Sequence, residues 1–401
     1  MAGRLKLAAT GVQDTWLTGE PQFSYFLMNF KRHSKFSFDY IECQFNGTID
    51  FGEIITCRIP GDKGDLVKNF TLKFTLNDPG PDTPGDNDVY WARSIGSHFI
   101  EYAELLIGGQ PIEKITGEYI YMHQQLHNTD DDVDQTLYFL NGHGGQVLSY
   151  SGEYTYFIDL PFYFYRNPAL AIPTCALTKQ IIEVRIKTRP LSQLIDGGGQ
   201  VGDTGSIKNI SIDTEFVYVT PDETAFLMSR PLDYVITQVQ MSQFKMKPGE
   251  TKKSVMLNFT HPVRELLFVS QSEEEITLYN NSIKYNDIVS AELRFNNETV
   301  FNRNAKFLMY EQAFKHHVNT PSSEIFIDGV NNSASKFGSY SFGLNPEVPY
   351  PTGQVNMSRI IHKLFTIEID PVNPDDYNNT RIYAINYNVL RIQSGLAGLK
   401  F

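Results

Sequence analysis

The run Phe162-Tyr163-Phe164-Tyr165-Arg166-Asn167-Pro168 is echoed by Tyr340-Ser341-Phe342-Gly343-Leu344-Asn345-Pro346. In both, aromatic residues lead into Asn-Pro, and a second proline follows five residues later, at Pro173 and at Pro351. Ala103-Glu104-Leu105 and Ala291-Glu292-Leu293 form another pair, each opening a strand-like run. The offsets are 178 residues (168 to 346) and 188 residues (103 to 291), close to half of the 401-residue chain. Solenoid units recur every ~20–50 residues, so this is a duplicated domain. A single core stops growing at roughly 250–300 residues, and the length independently predicts two domains.

Within each half the pattern is one of short strands separated by turn residues. Phe70, Leu72, Phe74 and Leu76 alternate along residues 66–76, which end at Asn77-Asp78-Pro79-Gly80. Further strands are predicted within 45–59 and over 154–164, 181–188 and 207–218. In the second half they fall at 235–244, 254–259, 265–269, 292–295, 365–369 and 381–391. Many β-branched and aromatic residues at this spacing indicate all-β sandwiches or barrels. Helical patterning is confined to residues 117–127 and 304–317, each following its Ala-Glu-Leu strand, and to a midpoint segment. There Thr220-Pro221-Asp222-Glu223 combines a Thr N-cap, Pro at the first helical position and Glu at N3 of a capping box. Residues 220–230 therefore read as a helical connector, stopped by Pro231. Long loops are expected at 78–88, 129–150, 194–205 and 329–338, where assembly contacts or function concentrate.

Several function classes are disfavoured. A formal charge of −12, with only small basic clusters at Lys31-Arg32-His33 with Lys35 and at Lys245 to Lys253, gives no sequence-independent grip on nucleic acid. Cys43, Cys57 and Cys175 make no disulfide framework and no Cys-x-x-Cys. No secretory signal and no membrane-length apolar run is evident, so a soluble protein made in a reducing compartment is expected. Nine Asn-x-Ser/Thr sequons, at Asn46, Asn69, Asn209, Asn258, Asn280, Asn297, Asn331, Asn356 and Asn378, are then incidental to turn-rich sequence. Charged residues, at 20%, fall slightly below the usual quarter, as suits a surface partly hidden in an assembly.

Motifs of chemistry fail on inspection. Gly197, Gly199 and Gly202 match a dinucleotide fingerprint, but the segment that follows is a strand and not a helix. Counting from Asp130, the acidic run through Asp134 has Gln135 and Asn141 where a calcium loop needs Gly and Glu. His123 and His127 share a helical face, yet Gln124-Gln125 lie between them and the sequence suggests no third ligand. His316-His317 cannot both face one ion from a regular helix. No nucleophile elbow, Walker A loop or His-Glu-x-x-His occurs. No catalytic, cofactor-binding or metal residue is therefore assigned, and the 28 Phe and 22 Tyr are read as sandwich core.

Five collinear stretches carry a more specific resemblance. Gln13-Asp14 with Leu17-Thr18-Gly19-Glu20-Pro21, followed by Arg32-His33, resembles the opening of the major capsid proteins of nucleocytoplasmic large DNA viruses. Leu160-Pro161-Phe162 with Arg166-Asn167-Pro168 and Pro173 is similar to a strand and turn of their first barrel. Thr260-His261-Pro262-Val263-Arg264-Glu265-Leu266 resembles their His-Pro-Val-Lys-Glu-Leu segment. Ser339 to Pro346, with Pro351-Thr352-Gly353 and Asn356-Met357-Ser358-Arg359, resembles their most recognisable block. Tyr387-Asn388-Val389-Leu390-Arg391-Ile392 resembles their C-terminal segment.

The resemblance implies two tandem eight-stranded jelly rolls with a few short helices: an N-terminal arm (1–28), a first roll (29–219), the connector (220–232) and a second roll (233–401). It further implies a homotrimer whose six rolls form a pseudo-hexameric capsomer tiling an icosahedral shell. Expected partners are neighbouring capsomers, minor capsid and penton proteins, and the internal membrane through the arm, with no direct contact to nucleic acid. The chain is short for that family, which implies reduced outward loops. Synthesis and assembly in the host cytoplasm and residence in the virion follow. A transient scaffold is a variant of the same reading, and a jelly-roll carbohydrate-binding protein or hydrolase is the reading from another class.

Overall fold

The structure, a computed structural model, describes all residues except 1, 29, 78–89, 130–135, 143–152, 197–204, 274–284, 321–324, 328–329, 333–336 and 372. The chain divides into two compact units, Met1–Phe36 and Ser37–Phe401. The first carries helices α1 (Ala2–Ala8) and α2 (Thr15–Thr18), neither with a buried residue. Trp16, Tyr25, Phe26 and Met28 are all exposed in it.

The second unit repeats one sandwich twice. Its first half contains β1 (Ser37–Asn46), β2 (Ile54–Ile59), β3 (Leu66–Asn77), β4 (Ile100–Ile107), β5 (Gln110–Thr116), β6 (Glu153–Asp159), β7 (Ile182–Thr188) and β8 (Ile207–Tyr218). Its second half contains β9 (Leu232–Met246), β10 (Lys252–Met256), β11 (Pro262–Ser272), β12 (Asp287–Phe295), β13 (Glu298–Asn304), β14 (Gly338–Ser341), β15 (Lys363–Asp370) and β16 (Asn378–Gln393). The first half forms sheets of order β1-β8-β3-β6 and β2-β7-β4-β5, joined edge to edge where Phe45 and Asn46 pair with Cys57 and Thr56. The second half forms β9-β16-β11-β14 and β10-β15-β12-β13. Adding eight to each strand number turns one half into the other. Both halves are jelly rolls, and the fold is all-β with a few short helices.

The duplication reaches individual residues. Ala103 and Ala291 lie at corresponding places in the hairpins β4–β5 and β12–β13, are both buried, and each hairpin carries one bulge, after Leu105 and after Leu293. The alternation read along 66–76 is real, since Phe70, Leu72, Phe74 and Leu76 are fully buried. Helices α3 (Ile95–Phe99), α4 (Gly117–His127), α5 (Leu137–Asn141), α6 (Pro221–Ser229) and α7 (Gln312–His316) lie between the strands. The expected helix at 304–317 is α7 preceded by a π-helical turn over Phe307–Glu311.

Three local expectations need correction. The strand expected over 154–164 stops at Asp159, because Pro161 has no N–H for a ladder and Tyr165 N bonds back to Phe162 O at 2.7 Å. Phe162 and Phe164 are nonetheless buried, edge-on to Phe70 at 6.3 and 5.5 Å. Residues 37–44, unassigned from sequence, form most of β1 in register with β8 from Ser37↔Tyr218 to Gln44↔Ser211. At the head of α6 the Thr220 hydroxyl caps no backbone N–H and instead contacts Glu223 Oε2 at 3.4 Å. The expected loop at 78–88, the Asp130–Asp134 run and the Gly197–Gly202 motif lie outside the described residues, while the described parts of three other expected loops hold short elements: Leu137–Asn141 is a helix within 129–150, Ile195–Asp196 pairs with Tyr90–Trp91 within 194–205, and Val330–Asn332 pairs with Ile325–Ile327 within 329–338.

Candidate functional site: the seam between the rolls

The two rolls are fused through β11 and β16, whose side chains alternate between two cores. Leu266 and Phe268 of β11, with Ile382 and Ala384 of β16, enter the core of the second roll. Leu267, Val269, Tyr383 and Ile385 point the other way and join the core of the first roll. This explains why Val263 to Val269 reads as an unbroken buried run and not as an alternating one.

Where α4 of the first roll meets this face, a buried carboxylate is closely paired. Glu118 accepts from Arg381 Nε at 2.7 Å and from its NH2 group at 2.5 Å, and from the Tyr383 hydroxyl at 2.5 Å. Arg381 also donates to Gln271 Oε1 at 2.8 Å, and Thr116 Oγ1 lies 3.2 Å from the Tyr383 hydroxyl. Burial pushes the Glu118 carboxyl up, but the Arg381 charge and these bonds outweigh it and hold it below its usual value. Elsewhere along the seam Gln238 Nε2 donates to Ile112 O at 2.5 Å, and Ala397 N donates to Gln180 Oε1 at 2.6 Å.

The two Asn-Pro turns occupy corresponding places, between β6 and β7 and between β14 and β15. Each Asn folds back in the same way: Asn167 Oδ1 accepts from Ala169 N at 3.3 Å, and Asn345 Oδ1 from Glu347 N at 3.0 Å. Both turns line one cleft of about 150 Å³, together with His123, His127, Tyr165 and Arg264. His127 ends α4 and His317 follows α7, so the helices of both rolls deliver a histidine here. His317 Nδ1 lies 2.7 Å from Glu347 Oε1, and its Nε2 contacts Glu265. His127 Nε2 lies 3.4 Å from Glu347 Oε2, while its Nδ1 donates to His123 O at 3.0 Å. His123 stacks on His127 at 3.8 Å. Burial keeps His123 and His127 well below the usual histidine value. Burial opposes the charge on His317 too, but Glu265 and Glu347 outweigh it and hold its pKa at about 9.

The sequence placed His123 and His127 on one helical face correctly. It gave no sign that His317 and Glu347, 190 and 220 residues beyond His127, join them. Correspondence between the halves is the one signal that could have pointed to them, since His127 ends α4 and His317 directly follows the equivalent α7. The three cysteines are free, and no helix among the described residues is long and apolar enough to cross a membrane.

With this geometry in place, comparison with known proteins is decisive. Residues 24–221 match the family described as major capsid protein N-terminus, and residues 223–398 match the large eukaryotic DNA virus major capsid protein family. The junction falls at the start of α6. The chain is 30% identical to the major capsid protein of Pyramimonas orientalis virus, across all of this chain and 99% of that one. The chain belongs to the major capsid proteins of large eukaryotic DNA viruses. This capsid protein is also 25% identical to the major capsid protein of Paramecium bursaria Chlorella virus 1 over the whole of both chains. Its fold matches the crystal structure of PBCV-1 VP54 with a TM-score of 0.79 at 21% identity, covering 94% of this chain and all of that one. The Faustovirus major capsid protein matches at 0.73 and 12% identity, covering 98% and 96%. The protein is thus a structural component of a virion capsid and not an enzyme, and it assembles with other capsid components.

Proposed function

We propose that the capsid protein works as a homotrimer whose six jelly rolls make one pseudo-hexameric capsomer of an icosahedral shell. The observation that carries this reading is the identical strand order of the two rolls, locked in one chain by a buried seam. A hexagonal lattice site needs six similar wedges, and fusing two per chain lets a closed threefold oligomer supply them. The strands at the sheet ends, β5, β6, β9, β10, β13 and β14, need covering, and a neighbouring subunit is a natural cover for part of them.

In this reading the chain divides into an arm (1–28), a first roll (29–219), a connector (220–232) and a second roll (233–401). The arm lies on the inner face of the shell, where its exposed Trp16, Tyr25 and Phe26 meet minor capsid proteins or the internal membrane. Neighbouring capsomers and penton proteins complete the contacts, nucleic acid is not touched directly, and assembly takes place in the host cytoplasm. Sedimentation of the purified full chain tests the oligomer. A trimer at micromolar concentration, with pseudo-hexagonal particles by negative stain, is the expected result; a stable monomer would sink the proposal.

A further inference from the structure

We propose that His127, His317 and Glu347 form a binding site for one divalent transition-metal ion, of which Zn²⁺ is the best match, that staples the two rolls together. The nitrogen and carboxylate atoms these residues offer lie within 4.8 Å of one another. Ligand atoms around a tetrahedral zinc sit roughly 3.3 Å apart at bonds of ~2.0–2.1 Å, so closure requires a shift of ~1–1.5 Å. The Glu347 carboxylate already reaches both rings, with one oxygen 2.7 Å from His317 Nδ1 and the other 3.4 Å from His127 Nε2.

Two further features point to an ion. First, the outer contacts are those of metal-ligating histidines, each holding its second ring nitrogen against a fixed acceptor. His127 Nδ1 donates to the His123 carbonyl, and His317 Nε2 donates to Glu265, whose side chain is 2% exposed. Second, donating Nδ1–H to a carbonyl leaves His127 Nε2 as a bare lone pair, and that lone pair faces the Glu347 carboxylate at 3.4 Å. Two acceptors confronting each other in a half-buried cleft are resolved by a cation between them. Two histidines and one carboxylate are a known zinc donor set that leaves a position for water. His127 and Glu347 both line the cleft, from which that water would enter.

Charge permits it. Glu265 and Glu347 together offset a divalent ion. Arg166 and Arg264 line the same cleft and oppose the ion, so they lower the affinity, while Glu265 and Glu347 are the charges in direct contact with the histidine rings. On binding, His317 Nδ1 gives up its proton to solvent and Glu347 turns from accepting that proton to ligating the metal. The inference concerns the seam within one chain and does not rest on the trimer.

The test uses the purified full chain, stripped with a chelator and titrated with Zn²⁺ by calorimetry, with Co²⁺ as a spectroscopic probe. Expected are one ion per chain, a raised melting temperature, and the visible absorption of four- or five-coordinate Co²⁺. His127→Gln and Glu347→Gln should each weaken binding by about 100-fold or more and remove the rise in melting temperature that Zn²⁺ gives the parent chain. Glu265→Gln, acting through His317, should weaken it by ~10–100-fold. Absence of saturable binding at a tenfold excess of Zn²⁺, or binding undiminished in both His127→Gln and Glu347→Gln, would overturn the proposal.

Discussion

Glu118 and Arg381, 263 residues apart in the chain, close a two-pronged ion pair across the seam, with Tyr383 completing the carboxylate's third bond. The pair is buried, so its attraction is offset by the cost of taking both charges out of water. Its stronger consequence is geometric. A fork-shaped guanidinium on β16 accepts one carboxylate placement on α4, which fixes how the first roll seats on the second.

Breaking one half of this pair strands the other charge. We expect Glu118→Gln and Arg381→Met each to cost ~3–5 kcal/mol, and the double variant Glu118→Leu/Arg381→Met to recover much of the loss. Urea melts of the four proteins check this. Because Glu118 is held below its usual value in the fold, its contribution is complete above the ordinary carboxylate range (about 4.3) and is lost as pH falls through the lower folded value. The parent should therefore lose stability more steeply than Glu118→Gln on acidification below about pH 4.

Glu113 has the opposite sign. Its carboxylate on β5 accepts from Tyr163 N at 2.8 Å, and burial, only partly countered by that bond and by Arg264, pushes its pKa to about 8. Folding is then favoured by the protonated acid, and stability falls as pH rises from the ordinary carboxylate value to about 8, by at most ~1.4 kcal/mol per pH unit. Glu113→Gln keeps an acceptor for Tyr163 and removes the titration. Its advantage over the parent should grow from pH 5 to pH 8 and level off above it; a difference independent of pH would contradict the assignment.

The arm should be dispensable for folding. Neither α1 nor α2 buries a residue, and the two compact units divide after Phe36. Deleting residues 1–28 should leave the melting temperature of the rolls unchanged while impairing shell assembly, as read by sedimentation of the assembly products. A large fall in melting temperature would show that the arm is part of the folded body.

Gly117 tests the seating of α4 in the first roll. A Cβ there would lie 2.1 Å from Ile100 O and 2.2 Å from Ser97 O, both backbone atoms that cannot rotate away. We expect Gly117→Ala to cost ~1–3 kcal/mol, measured by thermal melts. Gly398→Ala is the control, because its Cβ would meet nothing nearer than Gln110 Oε1 at 3.7 Å.

Much of this architecture was legible before any coordinates. The alternation at Phe70 to Leu76 gave its strand because one face is core and the other is not, and period two survives that asymmetry. The Asn-Pro echo gave the duplication because the same backbone fold-back, Asn Oδ1 to the second N–H beyond, is needed at both corners. What escaped is non-local. Nothing near Glu118 announces Arg381, and residues 37–44 gave little strand signal because most of β1 is exposed on its outer face. The cleft escaped for the same reason: its histidines come from helices of different rolls, and its glutamate from a turn.

Strand β16, whose two faces finish two different cores, is made after the fifteen other strands of the two sandwiches. Until residues 378–393 are made, the second roll lacks an inner strand of one sheet and the first roll's seam face stays open to solvent. The two halves therefore cannot be completed one at a time, although each repeats the other. Contacts spanning some 260 residues also make that last step slow and leave apolar surface exposed while the nascent chain waits. The fold thus carries a built-in completeness check. A chain broken before residue 378 leaves both rolls unfinished, with two cores open along the same missing strand.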